Sequence, residues 1–204
     1  MLKRILISQR VDIIAEYGER RDALDQRWAS FLRKTRALPF PVPNDRQSLL
    51  EILKTVPPDG ILLTGGNNPV KYGGNDPERD EIDALLIDYS VAYKVPLIGV
   101  CRGMQSIILY FGGSLKKMDG HIAVRHQVNG QINRIVNSYH ALATDIVPPC
   151  LEVIAYSEDG LVESVKHSTL PIMSIMWHPE REKEFDKDDI ELFCNIWNKK
   201  TEII

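Results

Sequence analysis

Apolar residues fall into two rhythms along this chain. Short unbroken runs at RILIS (4–8), GILLTGG (60–66) and PLIGV (96–100) have the length and continuity of strands buried on both faces of a parallel sheet. Between them the apolar positions shift to helical spacing. Leu24, Trp28, Phe31 and Leu32 mark one helix, and Leu49, Leu50, Ile52, Leu53 and Val56 mark another, stopped by Pro57-Pro58. The intervening LPFPVP is assigned no element by the pattern. A third helix is predicted with Asp76 as N-cap, Pro77 at the first helical position and Ile82, Leu85, Leu86 and Tyr89 on one face. A fourth runs from about Arg102 to Gly112-Gly113.

Beyond residue 120 the rhythm changes. Runs near INRIVNS, LEVIAYS, LVESVK and IMSIMW, separated by Gly, Pro and Asp turns, read as strands, and DKDDIELFCNIWNK closes the chain as a helix carrying Ile190, Phe193, Cys194 and Trp197 inward. The sum is an α/β fold: a central, mostly parallel sheet flanked by helices, with an antiparallel or mixed β portion added in the C-terminal half. A chain of 204 residues has the length of one domain, so residues 1–204 are expected to form a single catalytic unit.

One junction breaks the usual pattern. PLIGVCRGMQSI passes from buried strand to helix with no polar turn, so Cys101 is expected on a sharp bend at the strand's tip, flanked by Gly99 and Gly103. A small buried hydrophobe is the competing reading of an unpaired cysteine. On such a bend, however, a thiol is presented at the carboxyl edge of the sheet, the start of the following helix favours thiolate, and the N–H of Arg102 is free to hold an oxyanion. A thiol nucleophile also needs a base and a group to orient that base. SIMWHPERE supplies both, since His178 follows an apolar run and Glu180 stands two residues beyond it across Pro179. Gly-x-Cys-x-Gly and His-Pro-Glu, 77 residues apart, together predict Cys101, His178 and Glu180 as nucleophile, base and orienting acid.

Composition removes other classes. A net charge of −3 leaves no large positive field for nucleic acid or an anionic membrane surface, and no apolar run reaches the length of a membrane span. MLKRILISQRVD is too polar for a secretory signal, so a cytoplasmic location is expected. Three cysteines without a C-x-x-C pair argue against a disulfide framework or zinc site, and His121 and His126 read as ordinary loop residues without a third ligand. No cofactor is expected, and no G-x-x-x-x-G-K-[ST] loop is present.

GVCRGMQ and WHPE, together with TGG at 64–66 and NSYH at 137–140, resemble the class I glutamine amidotransferase-like superfamily, and the arginine after the cysteine looks like its γ-glutamyl hydrolase branch. The resemblance implies a flavodoxin-like fold and an attack by Cys101 on a γ-glutamyl amide, with Gly66 and Arg102 giving main-chain N–H groups to the oxyanion. It further implies that Gln105 and the segment Asn137, Ser138, Tyr139 and His140 hold the glutamyl group. Overall similarity within the branch is to short hydrolases whose amide nitrogen belongs to a cytidine diphosphoramidate, used in capsule modification. For such a nucleotide-linked conjugate, Arg10 is the first candidate cation, with Arg20, Arg21, Lys71 and Arg79 in the same flanking loops. No obligate protein partner is expected. The main alternative is a glutaminase subunit feeding ammonia to a separate synthetase; a non-enzymatic binding protein and a cysteine α/β-hydrolase rank lower.

Overall fold

The computed structural model describes residues 2–198. Its centre is a nine-stranded sheet in the order β4-β1-β5-β6-β13-β12-β11-β8-β9. The first five of these run parallel: β4 (Ala37–Pro41), β1 (Lys3–Ile7), β5 (Gly60–Leu63), β6 (Leu97–Val100) and β13 (Ile172–Ile175). The rest are antiparallel: β12 (Val162–His167), β11 (Leu151–Ser157), β8 (Ile122–Gly130) and β9 (Arg134–Tyr139). The C-terminal β portion thus continues the parallel sheet from β13 outward. Two small ladders lie outside it, β2 (Arg10–Ile14) with β3 (Glu19–Ala23), and β7 (Lys116–Lys117) with β10 (Leu142–Ala143).

Strand alternation divides the core between the two faces of the sheet. Leu6, Ile61, Leu63 and Leu97 pack with α2 (Arg46–Thr55), α3 (Pro77–Tyr93) and α4 (Arg102–Tyr110) through Leu49, Ile82, Leu86 and Ile107. Ile5, Ile7, Leu62, Ile98 and Val100 face the other way, onto α1 (Arg27–Lys34) and α5 (Lys187–Trp197) through Trp28, Phe31, Phe193 and Trp197. Buried on both faces, these strands read in the sequence as unbroken apolar runs.

LPFPVP forms the edge strand β4. Its prolines lack the N–H that an interior strand must donate, and an edge is where a sheet tolerates them. The β2–β3 hairpin is mostly exposed and charged, so it has no apolar rhythm to betray it. Asp76 stands at the N-cap position of α3 but makes no side-chain cap bond; it is buried and accepts instead from the N–H of Asn75.

Register places the ends of the parallel strands side by side. Ile7 pairs with Leu62, Leu63 with Gly99, and Val100 with Ile175. The residues that follow, Ser8, Thr64 to Gly66, Cys101 and Met176 to Glu180, therefore emerge along one edge of the sheet, where open α/β folds carry their sites.

Candidate functional site

Cys101 sits between β6 and α4 at φ 51° and ψ −101°, a conformation that a non-glycine residue holds only when its surroundings enforce it. They do so here. Its N–H donates to the Ile175 carbonyl at 2.8 Å, tying the bend to β13. A Cβ on Gly103 would lie 2.3 Å from the Leu63 carbonyl oxygen, and one on Gly99 would lie 2.7 Å from the Gly103 main chain, so only glycines let the helix start this close to the sheet. Arg102 is the first residue of α4, so its N–H is one of those with no carbonyl partner inside the helix.

His178 and Glu180 reach the same edge from β13. Trp177 holds the strand's exit through its indole N–H to Asp189 of α5 at 3.0 Å. Asn137 of β9 accepts from the His178 N–H and donates to its carbonyl, both at 2.8 Å. Arg27 of α1 donates its Nε–H to the Glu180 carbonyl at 2.6 Å, fixing the short 3₁₀ turn Pro179–Arg181. With the main chain pinned, the imidazole Nδ1 meets Glu180 Oε1 at 2.7 Å, and both side chains are 2% exposed. The Cys101 side chain lies close enough to act on the ring's charge. Burial opposes a charged ring and is the largest single influence, but the negative charges of Glu180 and Cys101, with the Glu180 hydrogen bond, outweigh it and push the imidazole up to about 9. Cys101, His178 and Glu180 thus form one contiguous, water-poor group.

The remaining candidates divide in two. Gly66 follows β5 at φ 136° against the Arg10 side chain, while Gly65, which the sequence pattern did not single out, lies under the imidazole: a Cβ there would be 2.4 Å from His178 Cε1. Tyr139 is 40% exposed and stands edge-on to the His178 ring, with Arg181 stacked over its outer face at 4.5 Å. Arg181 was visible in the sequence only as one charge in PERE. Gln105 is buried and donates to the Leu142 carbonyl at 3.1 Å. Asn137 is buried and used up on His178 and Glu182. Ser138 and His140 point to the opposite face of β9, Ser138 onto the His121 carbonyl at 2.7 Å and His140 toward Glu163 at 3.3 Å. Alternation along the strand is the reason: neighbouring residues of NSYH cannot all face one pocket.

Two expectations are corrected. Arg79 is not a loop cation, because its guanidinium is fully buried and bonds Asp83, Ser8 and Thr64. Arg102 joins the same cluster, its side chain held by Asp80, Asp83 and Ser106 and turned away from the thiol. Among the other flanking cations, Arg10 pairs with Asp12, Arg20 with Glu78 and Arg21 with Glu19, and Lys71 lies over the Tyr72 ring. His121 and His126 likewise do have a third ligand-type neighbour, for His126 lies on β8 and both rings approach the carboxylate of Glu163 on β12.

The chain matches the glutamine amidotransferase class-I family over residues 22–194. It belongs to that family. A γ-glutamyl-CDP-amidate hydrolase of Campylobacter jejuni is 30% identical over 183 residues, covering 86% of this chain and 89% of the relative. A γ-glutamyl-γ-aminobutyrate hydrolase of Escherichia coli O157:H7 is 30% identical over 206 residues, with 80% of each chain covered. Among solved structures, the glutaminase domain of Trypanosoma brucei CTPS, with acivicin bound, superposes with a TM-score of 0.72 at 14% identity, over 98% of this chain and 96% of that one. That likeness establishes the fold alone. Among the described residues, no helix is long and apolar enough to cross a membrane.

Proposed function

We propose that residues 1–204 act as one catalytic domain that hydrolyses a γ-glutamyl amide through a thioester on Cys101. The observation that carries this reading is the His178–Glu180 bond of 2.7 Å beside a cysteine on a strained bend, with the imidazole held charged. The Cys101 sulfur attacks the γ-carbonyl carbon, and main-chain N–H groups of Gly66 and Arg102 receive the oxyanion. The C–N bond then breaks as His178 passes its proton to the departing nitrogen, leaving a glutamyl thioester. Water, deprotonated by the now neutral His178, attacks the thioester; glutamate leaves and the thiolate–imidazolium pair returns. Glu180 accepts from Nδ1–H throughout, keeping Nε2 aimed at the sulfur.

For the leaving group, the Campylobacter jejuni relative favours a nucleotide phosphoramidate, so that γ-glutamyl-CDP-amidate yields glutamate and cytidine diphosphoramidate for capsular polysaccharide. Tyr139, Arg181 and Arg10 border the site and offer a ring and two cations to such a group. The reaction is expected in the cytoplasm, on a small molecule, without an obligate protein partner.

The test is glutamate release by the protein alone from γ-glutamyl-CDP-amidate, γ-glutamyl-γ-aminobutyrate and glutamine. Turnover of the nucleotide conjugate with kcat/KM at least about tenfold above the other two supports the full reading. Equal turnover of both conjugates keeps the hydrolase and removes the nucleotide. Activity on glutamine alone, and only with an added synthetase, would instead establish a glutaminase subunit.

A further inference from the structure

Glu163 is the second residue of β12 with its carboxylate 0% exposed, and a charge so placed needs a cation. Among the described residues, only imidazoles approach it within ion-pairing distance. His121 Nδ1 is 3.7 Å from Oε1, His126 Nε2 is 3.6 Å from Oε2, and His140 Nε2 is 3.3 Å from Oε1. Two of these contacts are too long for hydrogen bonds, and the His140 contact lacks hydrogen-bond alignment. His121 Nδ1, His126 Nε2, both His140 nitrogens and both Glu163 oxygens are buried with no hydrogen-bond partner among the described residues. Buried nitrogen and oxygen atoms thus face one another around this carboxylate without hydrogen bonds to satisfy them.

We infer that this cluster is a structural zinc site, with His121, His126 and Glu163 as ligands and His140 beside them as the fourth. Zinc takes imidazole nitrogen and carboxylate oxygen at about 2.0–2.2 Å, which sets tetrahedral ligand atoms about 3.3–3.5 Å apart. The measured approaches to Glu163 fall at or just outside that spacing, and the ligand atoms of His121, His126 and Glu163 lie within 4.8 Å of one another. Zinc binding would draw these side chains together by small rotations. The outer layer is already built: Asp159 Oδ2 stands 3.0 Å from His121 Nε2, which fixes the N–H on that nitrogen and leaves Nδ1 as the lone pair facing Glu163. Asp159 in turn accepts from the Ser157 hydroxyl. Three imidazoles and one carboxylate in a buried site suit zinc better than magnesium or calcium, which prefer all-oxygen shells.

The site stands apart from Cys101 but is mechanically joined to it. The Glu163 carbonyl accepts from Met176 N–H, two residues before His178, and the His121 carbonyl accepts from both the Ser138 hydroxyl and the His140 N–H. Zinc would therefore brace β8, β9 and β12, the strands that carry Asn137 to the His178 main chain.

The test measures metal and not turnover. The untagged protein, purified without chelator, is expected to carry about one zinc per chain by elemental mass spectrometry. After stripping, it should take zinc back from a chromophoric chelator, with a raised melting temperature, and Co²⁺ should give the visible absorption of a tetrahedral site. Glu163→Gln and His126→Asn are expected to weaken zinc binding at least about 100-fold and Asp159→Asn about tenfold, whereas Cys101→Ala should bind as wild type. His126, with its side chain 13% exposed, remains a usable variant where Glu163→Gln fails to fold. Stripped wild type that takes up no zinc at micromolar concentration, or ligand variants that bind as tightly as wild type, would overturn the proposal. Loss of zinc from Cys101→Ala would assign the metal to the thiol site and overturn it equally.

Discussion

Glu180→Gln isolates the charge that holds the imidazole protonated while keeping the shape and the Nδ1 hydrogen bond. In the native protein His178 is raised from 6.5 to about 9, worth about 3 kcal/mol in favour of the charged ring. Burial opposes that shift, and the charges of Glu180 and Cys101 produce it. Without the carboxylate, burial has only the sulfur to counter it. A proton donor for the leaving nitrogen must carry its proton, so kcat/KM should fall as pH rises through the ring's pKa. The wild-type high-pH limb is therefore expected near 9, and the Glu180→Gln limb more than about one unit lower. A ring that falls back to its ordinary 6.5 is about a quarter charged at pH 7, so kcat/KM should drop about fourfold near neutral pH and at least about 100-fold near pH 9. Glutamate release would be followed from about pH 5 to about pH 10.5, with circular dichroism confirming the fold. A variant that keeps more than about a third of wild-type kcat/KM near pH 9, with its high-pH limb unmoved, would refute the idea that Glu180 holds the charge on His178.

Cys101→Ala keeps the strained bend but removes the sulfur, so turnover should drop to background with stability within about 1 kcal/mol of wild type in urea unfolding; retained turnover contradicts the thioester route. Gly103→Ala drives a Cβ to 2.3 Å from the Leu63 carbonyl and should cost about 2–3 kcal/mol, whereas a cost under about 0.5 kcal/mol would mean that the elbow has room to spare. Asn137→Ala leaves the buried N–H and carbonyl of His178 unpartnered; we expect about 3 kcal/mol of destabilisation and a fall in kcat larger than the change in KM. A fall confined to KM would make Asn137 a substrate contact. Arg102→Met removes one of two guanidinium partners of buried Asp83 and should cost about 3 kcal/mol, with turnover per folded molecule retained because the main-chain N–H persists.

How much of this was legible depended on whether the signal was local. The buried strands and the helices of the parallel half were readable because residues that face a core on both sides are apolar without interruption. The elbow was readable too, since Gly99, Cys101 and Gly103 are neighbours in sequence as well as in space. The β2–β3 hairpin and the long strand β8 were not, because strands with mostly exposed side chains carry no apolar alternation to count. Arg79 shows the same limit from the other side: a charged residue is by default a surface residue, and only Asp83, Ser8 and Thr64 closing around it make its burial tolerable.

By itself, then, the amino-acid order determined the α/β layering, the strained turn at Cys101 and the residue types able to serve it, since each follows from spacing within a few positions. Only the tertiary structure decided which side chains meet. Pairing β13 beside β6 brings His178 to Cys101, and the alternation of β9 sends Asn137 and Tyr139 toward that pair and Ser138 and His140 away from it. The same strand order draws His121, His126 and His140 around Glu163, residues up to 42 positions apart in the chain. Sequence spacing holds no trace of that convergence, because it arises from the order in which strands lie across the sheet.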